Sequence, residues 1–150
     1  MRWIRRVAMP CFFGLSLLTA VVGCASTPSG GRDVESWTMN TGPKLPTAEG
    51  RAKVRVDGAG DHVVELTFQH LPLPERAFEG ATMYMVWIVP RNAPPQPMGS
   101  LDVGENLDAK VTIRTPNENF DVLVTAEVTA DSTTPSRHFA FDVSIRTAAA

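Results

Sequence analysis

The chain has 150 residues, 16 of them acidic and 14 basic, with only two cysteines, three histidines and one tyrosine. That is long enough for one domain with a sizeable core. Two cysteines exclude a disulfide framework, and a near-even charge balance without a basic run speaks against nucleic acid as a partner.

The first element is a leader. Arg2, Arg5 and Arg6 precede an apolar run of 16 residues, Val7 to Val22, interrupted by Pro10. A positive segment followed by an apolar one is the pattern of a secretory signal, and the run is short of the roughly 20 residues that a membrane span needs. It leads into Val21-Val22-Gly23-Cys24, which resembles a bacterial lipobox. That resemblance implies cleavage between Gly23 and Cys24, with acylation of the Cys24 thiol and of its freed amine. Two or three acyl chains, at about 0.8 kcal/mol per buried methylene, hold a protein at a bilayer almost permanently. Ala25 stands where inner-membrane lipoproteins of some bacteria carry aspartate, so by the same resemblance the outer membrane is the expected destination. Arg5-Arg6 resembles a twin-arginine signal, but Val7-Ala8-Met9 departs from its usual continuation, and the general secretory route is expected. Cys11 leaves with the leader and Cys24 is acylated. The mature domain therefore has no thiol for a metal site or a nucleophile. From Cys24 onward the chain carries 11 basic and 16 acidic residues, a net charge of −5.

Residues 24–45 read as the lipidated cysteine and a flexible tether, rich in Ser, Thr, Gly and Pro in the first third. Trp37 and Met39 are unusual in a tether, and Ser36 to Asn40 reads as an edge strand or a flap packed on the domain. Residues 46–150 read as the folded unit. Arg51 to Asp57 alternates Ala52, Val54 and Val56 with basic residues, and His62 to His70 alternates Val64, Leu66 and Phe68 with polar ones. Asp57-Gly58-Ala59-Gly60-Asp61 between them predicts a hairpin turn. Leu71 to Gly80, with Pro72 and Pro74, suits a crossover between sheets. Ala81 to Pro90 is the longest apolar run after the leader, and predicts a buried strand near the middle of a sheet. Arg91 to Pro97 is a proline-rich loop, read as a guard against edge pairing before a docking segment. Met98 to Val103, Leu107 to Thr115, Phe120 to Thr129 and Arg137 to Arg146 complete the series.

Seven or eight strands at this spacing, each with one apolar face, predict an all-β fold: an antiparallel, immunoglobulin-like β-sandwich, with a barrel as the alternative. Both parities of the longest strand are apolar. Trp87, with Met83, Met85 and Val89, is expected to face the core. Tyr84, Val86 and Ile88 would then form the second face, covered by the segment around Trp37 or left as an interaction surface for an envelope protein.

Tyr84 to Pro90, Gly99 to Leu101, Phe120 to Glu127 and Thr133 to Ser136 together resemble the extracytoplasmic C-terminal domain of anti-sigma-K factors, and a set of small bacterial lipoproteins with the same tyrosine-to-tryptophan strand. The resemblance covers about Leu71 to Ser136. It implies a β-sandwich of that type on a lipid anchor. The sigma-binding segment and membrane helix of that family have no counterpart in this sequence, so sigma inhibition does not carry over, and fold analogy supplies no function.

No catalytic constellation stands out. His62 and His70 on one unbroken strand would be about 26 Å apart, too far to share a metal, and with His138 they read as strand-end polar residues. Ser136, His138 and Asp142 have the residue types of a hydrolase triad, but side chains along one strand diverge. Asp102, Glu105, Asn106 and Asp108 miss the spacing of a calcium loop. The expected function is that of a lipid-anchored envelope module for protein interaction or structure, with no cofactor, no catalysis and membrane lipid as its first partner. A small-ligand or metal-binding lipoprotein and an anti-sigma-like sensing domain are the alternatives.

Overall fold

Strict alternation of apolar and polar residues satisfies a strand that lies on a core with one face in water. A computed structural model describes residues 34–147 and converts that alternation into two sheets. In chain order the strands are β1 (Glu35–Thr38), β2 (Asn40–Thr41), β3 (Glu49–Val56), β4 (His62–Gln69), β5 (Met83–Pro90), β6 (Gln96–Leu101), β7 (Ala109–Thr115), β8 (Asn119–Glu127) and β9 (Phe139–Arg146). A single helical turn, α1 (Pro74–Ala77), lies between β4 and β5. One sheet has the order β1-β3-β4-β7 and the other β2-β9-β8-β5-β6, with every pairing antiparallel. This is the predicted antiparallel β-sandwich, with nine strands among the described residues where seven or eight are expected.

The additional strands fall where composition suggests a tether. β1 edges the first sheet and β2 the second, and Met39, buried between them, marks the change of sheet. Met39 and Leu45 both belong to the core. The folded unit therefore begins by Glu35 rather than at residue 46, because core side chains are already being delivered there. Gly42 is required just after β2: a Cβ would collide with the carbonyl oxygen of Phe139, and its amide donates to Ala140 O at 2.7 Å.

The β3–β4 turn is tied by Asp57, whose Oδ1 accepts from the amides of Ala59 (2.9 Å) and Asp61 (3.0 Å), while Gly60 takes the positive φ of 89°. Residues 70–82 cross from one sheet to the other. Proline at the first position of α1 loses no needed donor. Phe78 packs edge-on to Tyr84, whose hydroxyl donates to Pro72 O at 3.0 Å. β6 begins earlier than expected, at Gln96. As an edge strand it tolerates Pro97, and a bulge opposite Val86 and Trp87 places Gly99 at φ 129°.

The core holds Ala52 and Val54 of β3, Val64, Leu66 and Phe68 of β4, and Phe120, Val122, Val124 and Ala126 of β8. From β5 it takes Tyr84, Val86 and Ile88, all fully buried. This reverses the expected orientation of β5. Trp87 is also fully buried, but it belongs to the opposite face, where its indole Nε1 donates to Thr125 Oγ1 at 2.9 Å. The physical reason is that the branched Val86 and Ile88 fill the space between the sheets, while the indole finds a polar partner only on the outside.

Candidate functional site

Gly23 and Cys24, the expected cleavage and lipidation positions, lie outside the described residues. The expected interaction surface does not form: Tyr84, Val86 and Ile88 are enclosed between the sheets, and Trp37 on β1 packs half-buried against the same core. Burial pushes the Tyr84 phenol well above its usual pKa, with the charge of Glu75 adding to the effect.

The histidines are separated by the fold. His62 opens β4 on its core side, buried edge-on to Phe120 at 6.1 Å between centroids, with Nδ1 unpartnered among the described residues. His70 is exposed just beyond the far end of β4, in the left-handed region at φ 54°. His138 stacks on Phe78 at 5.6 Å. Among the described residues no three His, Cys, Asp or Glu side chains come together. Ser136, His138 and Asp142 do not converge either. Ser136 Oγ accepts from the His138 amide and donates to Ala126 O, and Asp142 accepts from Asn40. In the turn after β6, the Gly104 amide donates to Asp108 O at 2.8 Å and the Leu107 amide to Gly104 O at 2.9 Å.

Two features were not legible beforehand. The first is a buried polar chain on the outer face of the β5–β8 pair. Trp87 donates to Thr125, Thr125 Oγ1 donates to Glu127 Oε1, and the amide of Ser136 donates to the same oxygen at 2.8 Å. Ser132 Oγ donates to Glu127 Oε2 at 3.3 Å. Glu127 is only 4% exposed, so a carboxylate is held in a dry place by three donors from its own chain. The arrangement ties the β8–β9 connection, residues 128–138, down over the sheet. Its acceptor oxygens are already engaged, which suits a staple rather than a base. The available signal was Thr125 and Glu127 two residues apart on one strand face; in register they oppose Met85 and Met83, and Trp87 reaches Thr125 diagonally.

The second feature is the outer face of the β1-β3-β4-β7 sheet. Arg51, Lys53 and Arg55 point outward from β3, and Lys110, Thr112 and Arg114 from β7. The strands are in register with β4 between them: Lys53 opposes Glu65, Arg55 opposes Val63, and Val63 opposes Arg114. Lys110 pairs with Glu65 and Arg114 with Asp57, both at 3.1 Å. Burial raises the pKa of the Asp57 carboxyl, but the amides of Asp61 and Ala59 and the charges of Arg114 and Arg55 outweigh it and hold the group below its ordinary value. Among the described residues Arg51, Lys53 and Arg55 have no carboxylate within ion-pair distance. Val63, on this outer face, is 4% exposed; its register neighbours Arg55 and Arg114 have the aliphatic stems to cover it.

Comparison with protein-family models, with curated proteins and with solved structures finds no match to this chain.

Proposed function

We propose that this chain is a lipid-anchored envelope protein that works through the surface of a β-sandwich rather than through a catalytic cleft. The observation that carries the reading is the order of its parts. An arginine-led apolar leader ends in Val21-Val22-Gly23-Cys24, and a two-sheet domain follows, its first strand starting at Glu35. The fold supports the second half of the reading. Its most elaborate polar group, Glu127 with Thr125, Ser132 and Ser136, is spent on fastening its own loop. The resemblance of residues 71–136 to envelope domains held at a membrane points the same way.

The deciding experiment is mass spectrometry of the protein isolated from membranes, together with Cys24→Ser. The wild type should carry diacylglycerol and acyl mass on Cys24 and enter the detergent-rich phase, and the variant should accumulate unprocessed. Normal processing of the variant, with no acyl mass on the wild type, would refute the anchor. Density-gradient separation of the membranes then tests the outer-membrane assignment.

A further inference from the structure

We propose that a second copy of this chain pairs with the free edge of β7, joining two four-stranded sheets into one antiparallel sheet across a two-fold axis. The inference goes beyond the anchored reading and does not depend on it. Its observation is the state of the sheet edges among the described residues. An open strand edge invites another strand, and proteins guard it by brevity, proline, bulges or free charge. β1 has four residues and β2 has two. β6 carries Pro97 and a bulge, with Gly99 at φ 129°. β7, the last strand of its sheet, has seven residues without proline or glycine, in unbroken register with β4. Its two cations are not free guards, because Lys110 is held by Glu65 and Arg114 by Asp57.

The register shows which groups that edge offers. The Asp57 amide donates to Asp61 O at 2.9 Å, and in an antiparallel ladder bonded and unbonded residue pairs alternate. The odd-numbered residues of β4 therefore exchange bonds with β3 and the even-numbered ones with β7. On β7 it is then Ala109, Val111, Ile113 and Thr115 that bond to β4. The N–H and C=O groups of Lys110, Thr112 and Arg114 point away from the sheet. This free edge is closed at both ends. Asp108 O accepts from the Gly104 amide at 2.8 Å, and Pro116 has no N–H to give. Thr112 is the centre of what remains.

That centre suits a second copy. Antiparallel pairing about Thr112 sets Thr112 against its own counterpart and Lys110 and Arg114 against each other, with two bonds in every pair and the same surface used on both sides. On the inner face Val111, only half-buried, meets the second copy's Ile113. Met98 on β6 and Val103 in the connection to β7 are half-buried too, so the core margin is open along this side. On the outer face Thr112 against Thr112 is a favourable cross-strand pair. Charge agrees once the carboxylates are counted. The opposed cations Lys110 and Arg114 bring Glu65 and Asp57 with them. Asp108 is exposed and has no ion-pair partner among the described residues. It lies diagonally across from the second copy's Arg114, about 7–8 Å away and within reach of a long side chain. An open cleft of about 320 Å³, lined by Thr67, Gln69, Asp108 and Lys110, gives that guanidinium room.

The test uses residues 24–150 with Cys24→Ser; every residue of the core cluster lies within that span, and without an acyl chain the result is independent of lipidation. Sedimentation equilibrium over a dilution series should show monomer passing to dimer as concentration rises, with no larger species. Hydrogen exchange at the Thr112 and Arg114 amides should slow over the same range. Thr112→Pro removes an N–H that β4 does not use, and should leave monomer at every concentration. Should that variant unfold, as circular dichroism would show, Thr112→Lys sets two ammonium groups against each other at the axis and should have the same effect. Ser36→Lys, on the β1 edge, should retain the dimer. The proposal is overturned by monomer throughout the series, by a dimer that survives the folded Thr112 variant, or by a dimer lost equally in Ser36→Lys. Slow exchange at Thr112 that does not depend on concentration would also overturn it, since the edge would then be covered from within its own chain.

Discussion

Glu127 shows how much of this fold is settled by single side chains. A carboxylate out of water has to be repaid by hydrogen bonds, and here Thr125, Ser132 and Ser136 all donate to it. Its removal leaves a buried hydroxyl and an amide without their acceptor. Glu127→Ala should therefore cost about 2–3 kcal/mol of stability, and Glu127→Gln, which keeps one carbonyl oxygen, should cost less. The specific readout is hydrogen exchange at the Ser136 amide, which should accelerate in the alanine variant before the sandwich itself opens. Unchanged protection there would show that the loop is held by other means. Asp57 makes the complementary case on the exposed rim. Its pKa is lowered in the folded state, so folding releases protons and the contribution is fully present above the ordinary aspartate range. It disappears as the pH falls through the lower, folded value. Asp57→Asn should reduce the urea midpoint at neutral pH, and the difference from wild type should close on acidification. A difference that persisted at the lowest pH would locate the effect in the turn geometry rather than in the charge.

At the level of elements, the strands were legible because each had one apolar parity, and β3, β4, β7, β8 and β9 all follow it. β5 was legible as a buried strand but not as an oriented one, since Met85 and Trp87 are as apolar as Val86 and Ile88. Only the partners across the sheet decide it: Thr125, on β8, offers the indole a hydroxyl, and no count of apolar residues on β5 reveals that. The two faces should respond differently to substitution. Val86→Asp puts a charge between the sheets and should abolish folding. Ile88→Ala should cost about 2–5 kcal/mol, whereas Trp87→Phe keeps most of the apolar area and should cost about 1 kcal/mol for the lost hydrogen bond. Equal midpoints for Ile88→Ala and Trp87→Phe would contradict this order. β1 and β2 were obscured for a different reason. They are four and two residues long, too short for a period to show, and they sit in a composition that reads as linker. Their importance lies in Met39 and in the edges they cover. Shortening residues 24–150 to 41–150 should lower the urea midpoint and raise dye binding to exposed apolar surface; unchanged values would reduce that segment to decoration.

For the molecule as a whole, the question is whether two sheets make one cooperative unit. The core is a single cluster containing Val54, Leu66 and Ile113 from one sheet and Val86, Val124 and Phe141 from the other. Phe68 and Phe141, from opposite sheets, meet with ring centroids 4.9 Å apart. Among the described residues the sheets share this one core cluster, so loss of one sheet exposes the inner face of the other, and the two should unfold together. The sequence provides its own probes. Residues 24–150 contain two tryptophans, Trp37 and Trp87, one at the edge of the four-stranded sheet and one in the five-stranded sheet. Trp37→Phe leaves fluorescence that reports from β5, and Trp87→Phe leaves fluorescence that reports from β1. Within each variant, the fluorescence transition in urea should coincide with the far-ultraviolet circular dichroism transition. Were the Trp37 signal to change at lower urea than the circular dichroism of the same variant, β1 would be a separately opening edge. The cooperative unit would then start at β3, and the four-stranded sheet would have a leading strand that can detach without unfolding the rest.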